Sequence, residues 1–310
     1  MARGQNPDPV AAQEDQEQPI PVLTPSTTPA TWTIDQRTEQ VGLITTLSIE
    51  PAGGHARWAL LADPHFPADP GEGRSPHKPA ENFPVGARQV IEAAPQAAMI
   101  LGDIAYRFGL PEDYAAAEPV ITGMAEHFPV CLTMGNHDVR ENFFRAFAPT
   151  TATDPAPPKS IIVINHPPVR FIILDSLYRV DVVPGLLGFQ QRGWLARFLD
   201  DSEPIPTIIC FHHALDDNDK SLFDADRLLG VLVPRPQVKA ILHGHWHKLR
   251  RYEIEGLDVI QLPAIGLPLE DGVPIGWLSA IFTASGAEFE MHGIGEPAGP
   301  IPSAFSLKWR

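Results

Sequence analysis

Five predominantly apolar runs, each five residues long, mark the chain at 58–62, 97–101, 130–134, 207–211 and 238–242. None alternates strictly between apolar and polar, so each reads as a strand buried on both faces. Weaker strand patterns fall at 41–44, 45–49, 161–164, 171–174, 259–262, 276–283 and 287–291. Helical spacing of apolar residues appears between them. It covers 85–94, 113–127 with an interruption at Pro119, 141–147, 189–200 and 223–232. Residues 66–84 and 149–159 are rich in Pro, Gly and charge and read as loops. Strands alternate with helices over the first two thirds, and strands dominate the end. This pattern predicts an α/β fold with a mixed sheet or a pair of sheets.

The first 38 residues break the pattern. Six prolines fall in the first thirty positions, among Gln, Glu, Asp and Thr. We expect residues 1–38 to be disordered and residues 39–310 to form a single domain. No internal repeat and no linker interrupts that stretch.

The chain has 310 residues, a net charge of −15 and a hydrophobic share of 44%. That share suffices for a sizeable core. The negative charge disfavours a nucleic-acid surface or an anionic membrane, since both call for basic patches. It does not exclude an anionic small molecule, because bound cations reverse the field locally. Cys131 and Cys210 lie inside apolar runs and read as buried free thiols, which suits a cytoplasmic, reducing setting. No apolar stretch reaches the roughly 18 residues of a membrane span, and no secretory signal is evident.

The ends of the five apolar runs carry the chemistry. They finish in Asp63-Pro64-His65, Gly102-Asp103, Gly135-Asn136-His137-Asp138, His212-His213, and Gly244-His245-Trp246-His247. An Asp or His after one strand is usually a turn residue. Five together, three of them preceded by Gly, point to one rim beyond the carboxyl ends of strands sharing an orientation. The set mixes carboxylate, amide oxygen and imidazole, which suits Mn²⁺, Fe or Zn²⁺ rather than Ca²⁺. Asp63, His65, Asp103, Asn136, His212, His245 and His247 are seven candidates, too many for one ion. With one shared carboxylate they serve two divalent metal ions. Two cations roughly 3.5–4 Å apart are an arrangement for phosphoester hydrolysis, with a hydroxide between them as nucleophile. His243 points away from His245 in a regular strand and is left out. Trp246 reads as a spacer turned toward the core.

The order D-x-H, G-D, G-N-H-D, H, G-H-x-H resembles that of the calcineurin-like metallophosphoesterases, over about residues 58 to 262. Within that superfamily the chain looks most like the class III cyclic-nucleotide phosphodiesterase branch. The features are Leu174-Asp175-Ser176, Gly185-Leu186-Leu187-Gly188 with Gln190, and Trp194-Leu195. The resemblance implies a four-layer α-β-β-α sandwich, two mixed sheets flanked by helices. It implies Asp63, His65 and His247 on a first metal, Asn136, His212 and His245 on a second, and Asp103 between them. It implies His137 as a general acid or charge stabiliser at the leaving oxygen, with Asp138 orienting it.

The chain departs from that branch at His212-His213-Ala214-Leu215, where relatives have His-His-Pro-Pro. His213 is then either a support for the ligands or a substrate contact. Arg140 and Asn142 either touch substrate phosphate or begin a solvated helix, and loop 66–84 either covers the site or is a solvated excursion. The expected substrate is small and phosphorylated, with a homodimer left open. A cyclic-nucleotide or other small phosphodiester is the first reading. A phosphomonoesterase or protein serine/threonine phosphatase on the same metals is the second, and a non-catalytic binding module the third.

Overall fold

In β5 (Ala97–Leu101) the side chains of Ala97, Met99 and Leu101 enter one apolar cluster, while Ala98 and Ile100 enter another. Strand side chains alternate between faces, so this run separates two cores. A computed structural model describes residues 22–24, 32–50, 53–74, 76–147, 156–295 and 304–310. In it β5 belongs to a seven-stranded sheet ordered β1 (Val22–Leu23), β6 (Val130–Thr133), β5, β4 (Ala56–Leu61), β13 (Gly276–Phe282), β14 (Gly286–Gly293) and β15 (Phe305–Lys308). The strands β4, β5 and β6 run parallel, and the others in this sheet pair antiparallel.

The second sheet has eight strands. Their order is β11 (Arg250–Ile254), β12 (Leu257–Gln261), β10 (Val238–His243), β9 (Thr207–Cys210), β8 (Val169–Ile173), β7 (Ser160–His166), β3 (Gly42–Ile49) and β2 (Trp32–Glu39). Here β8, β9, β10 and β12 are parallel neighbours, as are β3 and β7. Both sheets are therefore mixed.

Three cores fill the spaces between four layers. Helices α1 (Pro79–Ala93), α2 (Pro111–Ala125) and α3 (Arg140–Phe147) cover the outer face of the first sheet with Phe83, Val90, Tyr114, Ile121 and Phe143. Between the sheets lie Trp58, Leu60, Met99, Phe171, Leu242, Leu278 and Phe282. Helices α4 (Gly188–Asp201) and α5 (Ala225–Leu232) cover the second sheet with Trp194, Leu195, Leu199, Leu228 and Leu232. The inner strands of both sheets, such as β4, β5, β8 and β9, are sandwiched, which is why their sequences are almost continuously apolar. Cys131 and Cys210 are buried free thiols in the inter-sheet core, and burial pushes both up from the ordinary thiol range. No helix among the described residues is long and apolar enough to cross a membrane.

Several sequence expectations need correction. Order does not begin at residue 39. Val22 and Leu23 pair antiparallel with Cys131 and Val130 and are buried, so the edge of β6 is covered. Residues 32–39 form β2, in which Trp32, Ile34 and Gln36 face inward while Thr33, Asp35 and Arg37 face solvent. Trp32 and Ile34 rest on the inter-sheet core. This is two-residue alternation within a polar composition. The rest of 1–38 lies outside the described residues, as does most of 149–159.

Helix α1 begins six residues before the expected 85, because Pro79 opens it and Pro84 is carried inside it. Pro is well suited to a first turn, and the burial of Phe83 and Ala87 on either side of Pro84 holds the helix through the lost hydrogen bond. Strands β11 and β15 carry charged or exposed positions at the sheet edges and have no counterpart in the expected elements.

Candidate metal centre

Each expected site residue sits just past the carboxyl end of a parallel strand. Asp63 and His65 follow β4, Asp103 follows β5, and Asn136 and His137 follow β6. His212 follows β9, and His245 and His247 follow β10. The backbone past β4 and β5 stays in register, with Asp63 N–H donating to Gly102 O at 3.2 Å and His65 N–H to Asp103 O at 2.9 Å. Asp63, His65, Asp103, His245 and His247 all adopt positive φ, at 53°, 44°, 52°, 79° and 55°. They are five of the eight such non-glycine residues described. Each costs roughly 1–2 kcal/mol in backbone energy, so these are bends imposed by the site rather than chosen by the residue.

The bends bring the side chains together. His247 Nε2 lies 3.4 Å from Asp63 Oδ1 and 3.0 Å from His65 Nε2. His65 Nε2 lies 3.5 Å from Asp103 Oδ2, and His212 Nε2 lies 3.2 Å from the same oxygen. His245 Nδ1 is 3.3 Å from His212 Nε2. Asp63, Asp103, Asn136, His65, His212, His245 and His247 are all buried. All come from one chain, and Asp103 stands between His65 on one side and His212 on the other.

Every one of the four imidazoles is oriented by a backbone carbonyl. His65 Nδ1 faces Tyr106 O at 2.9 Å, His212 Nδ1 faces Leu101 O at 2.8 Å, and His247 Nδ1 faces Leu267 O at 2.7 Å. His245 is reversed, with Nε2 on Lys220 O at 3.0 Å. A carbonyl only accepts, so it fixes the proton on that nitrogen. The other nitrogen then presents its lone pair inward, the arrangement of a ligating histidine. Asn136 adds a buried amide oxygen, Oδ1, with no hydrogen-bond partner among the described residues. Such an orphan is costly unless a donor or cation meets it.

Space is as constrained as orientation. A Cβ on Gly135 would lie 2.1 Å from Asp103 Oδ1 and 2.6 Å from the Asp103 nitrogen. A Cβ on Gly244 would lie 2.6 Å from Asp63 Oδ2. The glycines before Asn136 and His245 are thus there to let carboxylates approach closely.

Electrostatics favour charged carboxylates. Burial works against the ionised forms of Asp63 and Asp103, but the surrounding imidazoles prevail and hold both below the usual carboxylate range. Burial lowers His65 to about 4 and His245 to about 3, so both are neutral at pH 7. Burial also opposes protonation of His212, but Asp103 beside it lifts that group to about 9. A cation binding there displaces the proton. Carboxylate, imidazole and amide oxygen around two groups of three to four donors fit two divalent ions. The donor sets Asp63–His65–His247, His65–Asp103–His137, Asp63–Asp103–His212 and His212–His213–His245 each lie within ion-holding distance.

His137 is half-buried, with its ring 5.0 Å from that of His65 and Nδ1 on Arg107 O at 2.7 Å. Its orientation comes from that carbonyl. Asp138 does not orient it. The Asp138 carboxylate instead accepts from the backbone N–H groups of Ile104, Ala105 and Gly135 and from the Tyr114 hydroxyl. It ties the loop after β5 to the loop after β6, and burial raises it to about 6. Adjacency in sequence suggested a contact that the turn geometry does not make.

His213 joins the cluster, within ion-holding distance of His212 and His245. It is buried, bonds Ser176 Oγ through Nδ1 at 2.7 Å, and packs 5.1 Å from the ring of His245. Arg140 faces inward to the carboxylate of buried Asp175, which also receives the Ser160 and Leu177 N–H groups. Asn142 donates to Gly109 O at 2.8 Å. Arg74 in loop 66–84 pairs with Asp271 at 2.9 Å. His243 points away from the cluster, as expected, and bonds the Tyr252 hydroxyl. Trp246 is only half-buried and donates to Asp216, so it does not turn into the core. The residues missed by sequence reasoning are those acting through carbonyls, Leu101, Tyr106, Lys220 and Leu267, together with Lys159. Lys159 Nζ bonds the carbonyls of Asp175, Leu177 and Leu186 beneath the site.

Comparison with known proteins agrees with this geometry. A family model described as calcineurin-like phosphoesterase matches residues 56–249. A cAMP/cGMP dual specificity phosphodiesterase from Mycobacterium tuberculosis is 30% identical over 176 residues, covering 53% of this chain and 52% of that protein. A probable cyclic nucleotide phosphodiesterase from Rhodococcus erythropolis is 31% identical over 179 residues, covering 54% and 56%. The matches thus span about half the length of these curated relatives. A dimetal phosphatase from Danio rerio has a similar fold, with TM-score 0.61 at 16% identity, covering 82% of this chain and 99% of that one. A purple acid phosphatase from yellow lupin gives 0.57 at 14%, covering 86% and 56%. The family match takes in every strand end that contributes to the cluster, and on that ground the chain belongs to the calcineurin-like phosphoesterases.

Proposed function

We propose that this chain is a two-metal phosphoester hydrolase acting as a phosphodiesterase on a cyclic nucleotide or another small diester. The observation that carries the reading is the set of four carbonyl-held imidazoles: the second nitrogens of His65, His212 and His247 lie within 3.5 Å of a buried Asp63 or Asp103 oxygen, and that of His245 lies 3.3 Å from His212 Nε2. The names of the two curated relatives support the diester, as does the Leu174-Asp175-Ser176 segment.

In this reading Asp63, His65 and His247 hold one ion, Asn136, His212 and His245 hold the other, and Asp103 is shared. The mixed donors suit Mn, Fe or Zn. Two such ions, when bound, supply Lewis acidity toward the phosphoryl oxygens and lower the pKa of bound water. The chain's own residues do the rest. Asp103 fixes the separation of the two donor groups, because the His137 N–H donates to its Oδ1 at 2.8 Å while Oδ2 faces His65 and His212. His137 keeps one proton on Nδ1 at Arg107 O, and a second proton at Nε2 is placed to pass to the departing oxygen. Asp138 keeps the two loops in register so that His137 stays beside Asp103. Two buried free thiols suit work in the cytoplasm.

The test is turnover with Mn²⁺ of a chromogenic diester against the matching monoester. Preference for the monoester by more than about tenfold sinks the diesterase reading and leaves the phosphatase one, a ratio worth roughly 1.4 kcal/mol in transition-state binding. Replacing Asp103 by Ala abolishes activity and lowers metal content; a variant that keeps both refutes the bridge. The variant His137→Ala keeps both ions and slows turnover on the order of 10²–10⁴-fold. Loss of metal there refutes its assignment.

A further inference from the structure

Among the described residues eight large apolar side chains are exposed, and two of them, Tyr178 and Phe223, touch each other. They are 48% and 57% exposed, and their rings meet edge to face with centroids 5.8 Å apart. The edge-on contact leaves a flat ring surface open to solvent. Single exposed aromatics need no explanation, but a pair held together beside a polar site does.

Their place follows from a chain of contacts. Lys220 O holds His245, and Phe223 lies three residues on. Phe223 N–H donates to Gly185 O at 2.9 Å, and Gly185 is so close to the His213 ring that a Cβ there would lie 2.4 Å from it. His213 in turn packs against His245. On the other side, Asp181 N–H donates to Asn136 O at 2.8 Å, three residues from Tyr178. The pair therefore stands at the rim over Asn136, His212 and His245, pinned through the backbone to the residues of that wall. Three residues of chain reach at most about 11 Å, the span of a small diester.

His137 lies toward His65, its ring 5.0 Å from that ring, and the reading above puts the departing oxygen there. A substituent that stays clear of His137 is directed toward Tyr178 and Phe223. We propose that these two residues form a platform for a planar aromatic substituent of the phosphoester, such as a nucleobase, and set substrate preference at this site. The proposal rests on the two-metal reading of the centre. An open ring face takes any base by stacking, without hydrogen bonds that distinguish one from another. The platform therefore selects bases over ring-free groups and discriminates weakly among bases.

The test uses the full chain loaded with Mn²⁺ and the variants Tyr178→Ser, Phe223→Ser and both. Four probes are compared: adenosine 3′,5′-cyclic monophosphate against glycerophosphocholine, and phenyl phosphate against glycerol phosphate. The expected result is a fall of roughly tenfold in selectivity for the ring-bearing member of the hydrolysed pair, carried mainly by KM. Metal content by elemental analysis is unchanged. An unchanged ratio, or equal loss on both members, overturns the platform. Hydrolysis confined to the monoester pair overturns the diesterase reading, and the platform is then judged on that pair alone. A wild-type protein inactive on all four overturns the catalytic reading and the platform together.

Discussion

Arg140 offers a test of whether a basic residue near the centre serves the substrate or the fold. Its guanidinium makes two hydrogen bonds to Asp175, whose carboxylate is fully buried. In Arg140→Met that carboxylate keeps Lys159 Nζ at 3.6 Å and the N–H groups of Ser160 and Leu177, but loses its closest cation. Breaking a buried pair on one side costs about 3–5 kcal/mol. A ceiling comes from protonation. Neutralising a carboxylate of ordinary pKa at pH 7 costs about 4 kcal/mol, and one held lower costs more, so proton binding caps the loss only beyond about 4 kcal/mol. We expect a loss of about 3–5 kcal/mol at pH 7, read from urea unfolding midpoints.

The pH dependence has a definite sign. Burial opposes the charge on Asp175, but Arg140 and Lys159 prevail and hold it below the ordinary range. A depressed carboxylate adds stability above its unfolded pKa of about 3.9 and loses it as pH falls through the folded value. Without Arg140 the balance tips toward burial, the folded pKa rises, and the variant's penalty shrinks between pH 7 and pH 5. Arg140→Met with Asp175→Asn, which leaves no unpaired charge, recovers part of the loss. Wild-type stability together with a raised KM would show that Arg140 serves the substrate instead, and would refute the reasoning.

Other expectations follow from the same geometry. Gly135→Ala places a methyl group against backbone and carboxylate of Asp103, so elemental analysis finds less metal; a full complement there contradicts the close-approach account. Chelation lowers the melting temperature by roughly 5–10 °C, for ions held at about a hundredfold over their dissociation constants, and Mn²⁺ restores it. No shift would mean that the buried donors do not depend on a cation. His166 accepts the Trp58 indole N–H at 3.1 Å and is lowered by burial to about 4. A depressed histidine contributes full stability above about 6.5 and loses it as pH falls toward 4. His166→Phe is less stable at pH 7 and has a shallower loss between those pH values, by about one proton in the slope; an unchanged slope excludes His166 as the titrating group.

The legible parts of this fold are those where one physical demand acts alone. Residues 97–101 are apolar at every position because both faces are buried, and that reads directly as an inner strand. The ligand types are legible because few side chains can hold a divalent ion. Strand β2 is hidden in the sequence because it is an outer strand with only Trp32 and Ile34 as apolar anchors, so its composition resembles that of the polar, Pro-rich stretch before it. Strand β11, Arg-Arg-Tyr-Glu-Ile, is held by pairing with β12 across a Glu255-Gly256 turn rather than by burial, and pairing leaves no apolar signature. The carbonyls that orient the imidazoles are absent from any side-chain pattern, since every residue has one. Asp138 was misread because neighbours in sequence at a tight turn point in different directions.

The left-handed backbone at Asp63, His65, Asp103, His245 and His247 has a consequence for how such a protein could change. Glycine, and to a lesser degree asparagine, would relieve all five bends. Taken together they cost roughly 5–10 kcal/mol, comparable to the net stability of a whole domain. On the reading proposed above, a descendant released from catalysis would gain stability by losing these residues, and would drift toward Gly and Asn at these positions first. The presence of Asp and His at all five is a chemical requirement written against the preference of the chain. It supports the two-metal reading proposed above over a binding module that merely retains the architecture.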